Sequence, residues 1–410
     1  MGALGSQGNT GADIPFTLSE SPYLDYISAG SMDVPRFTGE FWTSRQRNAS
    51  SIHEISYRAC FKPQLPRFFI ENLSGEDDVI YDPFSGRGTT VIEAGLMGRR
   101  CIANDINPLS CILTMPRFYP PLSGEVRDRL ASIPFQNEAD ADIDLSMFFH
   151  KKTEAEIVSL KEYLMDRREE GTYDLVDAWI RMVATNRLTG HSKGFFSVYT
   201  LPPNQAVSRE SQRKINAKRK QSPEYRNIST LILRKTTSLI RTLSTGDREN
   251  LTIAGTSALF LSRDARFVPE IADESIRLTV TSPPFLDIVQ YPKDNWLRCW
   301  FNGIDDQTIA RTITMAKTVP DWIRVMEGVF HELYRTTAPG GFVAFEVGEV
   351  RKGSVRLEDA VLPLGLDAGF QPVCILINRQ LFTKTAHIWG VGNNTGGTNT
   401  NRIILFKRIE

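Results

Sequence analysis

Two short motifs in this 410-residue chain carry residue types suited to chemistry on a small ligand. The first is Asp82-Pro-Phe-Ser-Gly-Arg-Gly-Thr-Thr90, which follows the apolar run Val79-Ile-Tyr81 and precedes a predicted helix. A strand, a glycine-rich turn and a helix in this order form the opening unit of a doubly wound sheet. Thr89 and Thr90 stand where a helix N-terminus offers unpaired N–H groups and the positive end of its dipole. The motif therefore predicts a site for a small, partly anionic ligand.

The spacing of this motif differs from the two common nucleotide-binding loops. It lacks Gly-Lys-Ser/Thr, which argues against a loop that cradles the phosphates of a nucleoside triphosphate. Gly86 and Gly88 allow a tight turn and close approach of a ligand, but the third glycine of the dinucleotide fingerprint is missing. Asp82 and Phe84 precede the glycines instead.

The second motif is Thr281-Ser-Pro-Pro-Phe285, at the end of the fourth predicted apolar strand, where ligands collect in open α/β sheets. Pro283 and Pro284 hold the backbone rigid, Ser282 supplies a hydroxyl group, and Phe285 supplies a flat apolar face. This set suits an aromatic amine, whose nitrogen lone pair is delocalised into the ring. If the Ser282 hydroxyl and the Pro283 carbonyl hold the two amine hydrogens, the lone pair can be aimed at an electrophilic methyl group.

The two motifs resemble the signatures of the S-adenosylmethionine-dependent DNA amino-methyltransferases, which are Asp-Pro-Phe-x-Gly-x-Gly-Thr-Thr and Ser-Pro-Pro-Tyr/Phe. The resemblance covers about residues 52–118 and 251–407. The cofactor motif comes first, then an insertion, then the tetrapeptide, which is the order of the α group. The resemblance implies an α/β fold: a Rossmann-like doubly wound methyltransferase sheet with a terminal antiparallel hairpin. A mostly helical insertion interrupts it.

The resemblance also implies the cofactor, S-adenosylmethionine, and the residues that bind it. Asp105 lies roughly 20 residues past the glycines, at the tip of the second strand, where a carboxylate can accept both ribose hydroxyls. The alternative role of Asp105 is to cap the helix that follows Asn107-Pro108. The implied cofactor-binding residues are Lys62, Pro63, Asp82, Phe84, Gly86, Gly88, Thr89, Thr90, Asp105, Ile106, Asp264 and Ala265. For Lys62 and Pro63, an ordinary loop before a helix remains the alternative.

The tetrapeptide indicates the base that is methylated. In the resembled family, Ser in the first position is associated with the N4 amine of cytosine, and Asp or Asn with the N6 amine of adenine. We therefore expect Ser282, Pro283, Pro284 and Phe285 to methylate N4 of a flipped cytosine, with adenine N6 as the alternative. A carbon-5 cytosine enzyme is excluded because no Pro-Cys pair occurs in the chain. Two further alternatives are an RNA base-amine methyltransferase and a DNA-binding regulator with a vestigial site.

The insertion is predicted to recognise the target DNA. It contains a basic stretch in a chain whose 48 Lys+Arg and 48 Asp+Glu cancel, and such a stretch suits contact with phosphates. The alternative is an ordinary solvated helix face. The predicted nucleic-acid-binding residues are Arg209, Arg213, Lys214, Lys218, Arg219 and Lys220.

The predicted domain organisation has four parts: an N-terminal tail (1–45), a cofactor-binding part (46–118), the helical insertion (119–250) and a second catalytic part (251–410). The five cysteines and five histidines are scattered, so we expect no metal site and a reducing, cytoplasmic compartment, with nucleoid association through the substrate. No apolar run is long enough to span a membrane. Double-stranded DNA is the expected partner. A cognate restriction endonuclease and the oligomeric state stay open.

Overall fold

The computed structural model describes most of the chain. The described residues are 14–18, 22–29, 32–41, 49–57, 60–201, 207–284, 291–305, 316, 318–350, 355–379 and 400–409. The predicted catalytic residue Phe285 lies outside these ranges.

Eleven strands occur among the described residues. They are β1 (Tyr23–Ala29), β2 (Met32–Gly39), β3 (Val79–Asp82), β4 (Arg100–Asn104), β5 (Leu259–Leu261), β6 (Ile276–Thr281), β7 (Thr337–Val347), β8 (Glu349–Val350), β9 (Val355–Arg356), β10 (Phe370–Arg379) and β11 (Thr400–Arg408).

The helices of the described ranges alternate with these strands or form the insertion. They are α1 (Gln64–Leu73), α2 (Thr89–Leu96), α3 (Leu109–Thr114), α4 (Ser123–Ser132), α5 (Lys151–Glu169), α6 (Leu175–Arg187), α7 (Arg209–Arg219), α8 (Ile228–Ile240), α9 (Thr245–Ser257), α10 (Tyr291–Asn302), α11 (Val319–Thr336) and α12 (Leu357–Asp367).

Nine strands form one mixed sheet in the order β1-β2-β10-β11-β7-β6-β3-β4-β5. β5, β4, β3, β6 and β7 are parallel neighbours, and β11 runs antiparallel between β7 and β10. The predicted doubly wound α/β sheet with a terminal antiparallel hairpin is therefore confirmed. Because the carboxyl ends of parallel strands meet at one edge, the loops after β3, β4, β5 and β6 lie next to one another, at the point where the strand order reverses.

Alternate residues of each strand face opposite sides of the sheet, so two apolar layers form. Ile80, Cys101 and Leu278 belong to one buried cluster, which also contains the apolar side chains of α1, α2 and α6. Tyr81 and Ile102 belong to the other, which contains those of α11 and α12. Both faces of the central strands are covered, as the apolar character of these strands predicts.

The predicted N-terminal tail is wrong for residues 23–39. These residues form β1 and β2, an antiparallel hairpin whose second strand pairs in parallel with β10. In β2, Val34 and Phe37 are buried while the neighbouring positions are more exposed. The hairpin is held across its strands by Arg36, which donates two hydrogen bonds to the carboxylate of Asp25.

The predicted helical insertion is present as α4 to α8, but it packs into the core of the catalytic part. Trp179, Ile180 and Val183 of α6 are fully buried in the same apolar cluster as the strand residues. α9 spans the predicted boundary at residue 250 and packs against α2 and β4, so it serves as a crossover helix of the sheet.

Candidate active site

The glycine turn after β3 has the geometry of a ligand-binding turn. Gly86 and Gly88 have φ angles of 53° and 75°, in the left-handed region that favours glycine. A Cβ atom at Gly88 would lie 2.4 Å from Cγ2 of Thr114, so a larger residue does not fit. Thr89 and Thr90 begin α2 and are buried. The backbone N–H groups of the first turn of α2 therefore face the loop end of the sheet.

Asp105 lies directly beside this turn, as its offset in the sequence predicts. Its Oδ2 accepts a hydrogen bond of 2.8 Å from the N–H of Gly86, and its Oδ1 accepts one of 2.9 Å from the N–H of Asn107. Each carboxylate oxygen keeps a second lone pair, so ribose hydroxyls fit the same acceptors. Burial raises the pKa of Asp105 to about 6. Asp105 does not cap α3, because the N–H of Asn107 precedes the N-cap residue Pro108, and its contact with a ribose stays a prediction. Ile106 follows Asp105 in the same loop.

Asp82 joins the two motifs. Its buried carboxylate accepts hydrogen bonds from the Thr281 hydroxyl (2.7 Å) and from the N–H of Phe84 (3.1 Å). Thr90 donates its hydroxyl to the carbonyl of Val280 at 3.0 Å. Burial raises the pKa of Asp82 to about 7. The end of β3 is thus bonded to the end of β6, immediately before Ser282.

The loop that contains Lys62 and Pro63 lies close to the glycine turn. Pro63 is buried and caps the start of α1, whereas Lys62 is exposed. Arg87, inside the turn, donates to the carbonyl oxygens of Ile55 (2.7 Å) and Phe61 (3.5 Å). The structure therefore brings this loop to the site, while its contact with a cofactor stays a prediction.

Asp264 and Ala265 lie in the loop after β5, next to the loop of Asp105. Asn104 links the two loops, because its side chain bonds to the backbone of Arg263 in both directions. The carboxylate of Asp264 pairs with Arg266, which lowers the pKa of Asp264. Ala265 is buried. Asp264 and Ala265 thus lie beside the loop of Asp105, and the carboxylate of Asp264 is paired with Arg266.

Ser282 has a partner that the sequence did not reveal. Its hydroxyl is hydrogen-bonded to the carboxylate of Glu346, at the end of β7. Glu346 is 7% exposed, burial raises its pKa, and Asn401 of β11 also donates to it. A carboxylate within an otherwise apolar strand is the signal that could have identified it, because buried acids need a partner.

The two prolines of the tetrapeptide lie at the same edge. Pro283 is buried, and the carbonyl of Pro284 accepts a hydrogen bond of 2.9 Å from the indole N–H of Trp322. Trp322 lies on α11 and is itself buried. This bond anchors the backbone of the tetrapeptide to the second layer of the core.

A fully buried arginine, Arg117, is hydrogen-bonded to the backbone of the glycine turn. Arg117 donates to the carbonyl oxygens of Arg87, Leu113 (2.9 Å) and Ile52 (3.3 Å). Burial and the neighbouring Arg87 lower the pKa of Arg117 to about 9. No sequence motif identifies this residue, because its role depends on three carbonyl groups that are distant along the chain.

The predicted nucleic-acid-binding residues lie on or directly after α7. All six side chains are exposed. Arg213 forms an ion pair with Asp144 (2.6 Å), and Lys214 forms one with Glu210 (2.6 Å). The guanidinium of Arg219 lies 3.7 Å from the centre of the Tyr199 ring. The structure thus places the basic stretch on the surface of the insertion.

Among the described residues, no three His, Cys, Asp or Glu side chains lie together in a way that could hold a metal ion. None of the helices in the described ranges is long and apolar enough to cross a membrane.

Comparisons with known proteins agree with the cofactor motif. Residues 23–114 match a family of DNA methylases, and this segment runs from β1 to the end of α3. The Type II methyltransferase M.BsoBI of Geobacillus stearothermophilus is 24% identical over 344 residues, 77% of this chain and 65% of the relative. M.MvaI of Kocuria varians is 31% identical over 100 residues, 24% of this chain and 22% of the relative. M.MjaII of Methanocaldococcus jannaschii is 36% identical over 71 residues, which are 17% of this chain and 13% of the relative. The chain thus spans less than two thirds of the length of each.

Solved structures of methyltransferases are also similar to parts of this chain. An S-adenosylmethionine-dependent methyltransferase from Methanosarcina mazei covers 83% of this chain and 97% of its own, with 11% identity and a TM-score of 0.30. The fold assignment itself rests on the strand order described above. The segment that carries the glycine motif is thus similar to DNA methylases, and longer stretches of the chain are similar to Type II methyltransferases.

Proposed function

We propose that the protein transfers a methyl group from S-adenosylmethionine to the exocyclic N4 amine of a cytosine flipped out of duplex DNA. The observation that carries this proposal is the position of Ser282, Pro283 and Pro284 at the end of β6, bonded through Thr281 and Asp82 to the glycine turn. The methyl donor and the acceptor amine would then meet at one edge of the sheet.

The cofactor fits the residues present at this edge. Gly86 and Gly88 leave the backbone without side chains where a ligand approaches, and Asp105 offers acceptors for ribose hydroxyls. Lys62 and Pro63 would lie over the methionine end, and Asp264 and Ala265 beside the adenine. The cofactor would supply an electrophilic methyl group on a positively charged sulfur.

The tetrapeptide would orient the amine. The Ser282 hydroxyl and the Pro283 carbonyl would hold the two hydrogens of the amine, so that its lone pair points at the methyl carbon. The amine nitrogen would form its bond to the methyl carbon as the S–C bond of the donor breaks, and the cationic nitrogen would then lose one proton to water. Glu346 would fix the orientation of the Ser282 hydroxyl through their hydrogen bond. Phe285 would stack on the base.

The choice of cytosine over adenine rests on Ser282 in the first position of the tetrapeptide. The test is methylation of plasmid DNA by the purified protein, followed by mass spectrometry of the nucleosides. We expect N4-methylcytosine. N6-methyladenine alone would overturn the cytosine proposal and leave the adenine alternative.

A substitution separates catalysis from binding. We expect Ser282→Ala to reduce transfer of a tritiated methyl group by at least roughly tenfold, since one oriented hydrogen bond is lost, while binding of the cofactor is unchanged. Wild-type protein that binds DNA without transferring methyl groups would instead favour the vestigial regulator.

RNA is the second candidate substrate. A tRNA (guanine(10)-N2)-dimethyltransferase of Methanocaldococcus jannaschii is 38% identical over 64 residues, 15% of this chain. Competition experiments distinguish the two. If the proposal is correct, unlabelled duplex DNA suppresses labelling of a DNA substrate and an equal mass of tRNA does not. Suppression by tRNA together with methylated tRNA would favour the RNA alternative.

A further inference from the structure

Four cationic side chains gather where α6 ends beside α8. They are Arg187, Arg234, Lys235 and Arg241, here called the basic cluster. Arg187 and Arg234 are close enough to repel each other electrostatically, and Lys235 interacts in the same way with Arg187 and Arg241. This cluster is separate from the basic stretch on α7.

The charge of the cluster is only partly compensated within the described residues. Glu54 pairs with Arg241 through two hydrogen bonds and lies 3.5 Å from Nζ of Lys235. Arg187 bonds instead to the neutral side chain of Asn186 at 2.9 Å. Four positive charges against the one negative charge of Glu54 leave an excess of about three in a chain of zero net charge.

Burial makes this excess costly. The side chain of Lys235 is 11% exposed, and burial with the nearby Arg187 lowers the pKa of Lys235 to about 8. Burial together with Arg298 and Arg234 lowers the pKa of Arg187 to about 10. Like charges held together in a partly desolvated place are relieved when an anion with several oxygens binds them.

The surroundings favour a nucleic acid as the source of that anion. The guanidinium of Arg187 lies 4.0 Å from the centre of the Phe195 ring, and that of Arg219 lies on Tyr199 of the same loop. The loop therefore connects the basic cluster with the end of α7. Two basic regions joined by one loop match a chain of phosphates better than a single small anion.

The cluster also lies near the candidate active site. Asn186, next to Arg187, bonds to the backbone of Ser56 in both directions, at 2.8 and 3.3 Å. The next residue, Tyr57, lies within 3.4 Å of the Cβ position of Gly86 and accepts a hydrogen bond from Asn107. The basic cluster is thus connected to the glycine turn through the contact of Asn186 with Ser56 and that of Tyr57 with Gly86.

We propose that the basic cluster binds a phosphodiester group of the nucleic-acid backbone, next to the nucleotide that is flipped. This inference rests on the proposed function and adds a second phosphate-binding locus to α7. The carboxylate of the cofactor is a less suitable occupant, because one cation would suffice for it and the side chains of Arg234 and Arg241 are exposed to solvent.

The experiment measures the affinity for a fluorescent 24-base-pair duplex over a range of salt concentrations. It compares three proteins: the wild type, Arg234→Gln and the double variant Arg234→Gln/Lys235→Gln. The matched control is Arg324→Gln, an exposed arginine on α11 with a side-chain exposure of 76%. Loss of one phosphate contact reduces the slope of log K against log salt by about 0.9. We expect a reduction of about 0.9 for the single variant and about 1.8 for the double variant, with no change for the control.

Two accompanying measurements keep the outcomes distinct. Thermal melting confirms that each variant is folded, and calorimetric titration with S-adenosylmethionine is expected to give wild-type affinity. If the wild type methylates DNA and the double variant keeps the wild-type slope, the basic cluster is not a phosphate site and the proposed function stands. A loss of cofactor affinity in the double variant would assign the cluster to the cofactor instead. A wild type that neither binds nor methylates DNA would overturn the proposed function itself.

Discussion

Polar residues have opposite surroundings in two regions: the edge of the sheet with the loops after β3, β4, β5 and β6, here called the cofactor edge, and the surface of α7 in the insertion. At the cofactor edge, Asp82, Asp105 and Glu346 accept hydrogen bonds from named donors of the fold, and burial raises the pKa of each. On α7 the charged side chains are exposed and pair with single partners, such as Lys214 with Glu210.

This difference predicts how each region responds to substitution. A buried polar group at the edge has no water to replace a lost partner, so a single change there has a large effect. An exposed ion pair is worth about 0–1 kcal/mol, and binding by such a surface is a sum of many small contributions.

The largest effect is expected at Gly88. Gly88→Ala combines a φ of 75° with a Cβ atom 2.4 Å from Thr114, and strain with overpacking costs about 2–6 kcal/mol. We expect cofactor affinity, measured by calorimetric titration, to fall at least roughly 30-fold. Gly171→Ala is the matched control, since Gly171 has a φ of 71° and no atom within 4 Å of its Cβ position. Equal losses of cofactor affinity in both variants would contradict the role of the turn.

The next effect is expected at Asp105. Asp105→Asn removes charge-assisted hydrogen bonds worth about 1.5–3 kcal/mol, so cofactor affinity falls roughly 10- to 150-fold at pH 8. The exposed Asp128→Asn serves as control, with a side-chain exposure of 75%.

Asp105 also predicts a pH dependence. Its carboxylate would accept the ribose hydroxyls in the ionised form, and burial raises its pKa to about 6. Wild-type affinity should therefore be constant well above pH 6 and fall as the pH drops below it. Asp82, with a pKa of about 7, contributes to any dependence that persists in Asp105→Asn. Titrations at several pH values check this, and identical pH profiles of the two proteins would exclude Asp105 as the titrating group.

A moderate effect on turnover alone is expected at Glu346. Glu346→Gln replaces a charge-assisted hydrogen bond to Ser282 by a neutral one of roughly half the strength, so kcat should fall about 5- to 30-fold. Cofactor affinity should stay unchanged, and the exposed Glu327→Gln should change neither value. A fall in cofactor affinity without a fall in kcat would show that Glu346 does not act through Ser282.

The smallest effect is expected on α7. Lys214→Gln breaks an ion pair whose two side chains are 76% exposed, so the free energy of unfolding should change by less than about 0.5 kcal/mol. DNA affinity should fall about two- to threefold, measured by fluorescence anisotropy at low salt. Arg324→Gln is again the control. A loss of tenfold or more would show that α7 reads bases or closes over the target.

The sequence predicted the parts of this protein that depend on local rules. The strand at Val79 is an apolar run, and the strand at Ile276 has an apolar face. The glycines at 86 and 88 require a turn, and the offset of Asp105 placed it beside that turn. The doubly wound sheet followed from the alternation of strands with helices. In these places neighbouring residues determine the structure, so the sequence is sufficient.

The features that were missed depend on residues far apart along the chain. Arg117 meets the carbonyl of Ile52, and Ser282 meets Glu346 at the end of another strand. The N-terminal hairpin was missed because β1 and β2 are partly exposed, and because the partner of β2 is the distant strand β10. The functional assignments of the cofactor-binding, catalytic and DNA-contacting residues stay predictions until the variants above are measured.

The pairing of β2 with β10 has a consequence for how the protein is made. Arg36 lies opposite Ile375, and the antiparallel strand β11, which follows β10, inserts between β10 and β7. During synthesis from the N-terminus, the hairpin is therefore made long before its neighbour β10. Contacts between residues so distant in sequence form late, and they make folding slower. Among the described strands, β1 and β2 are thus made first and join the sheet late.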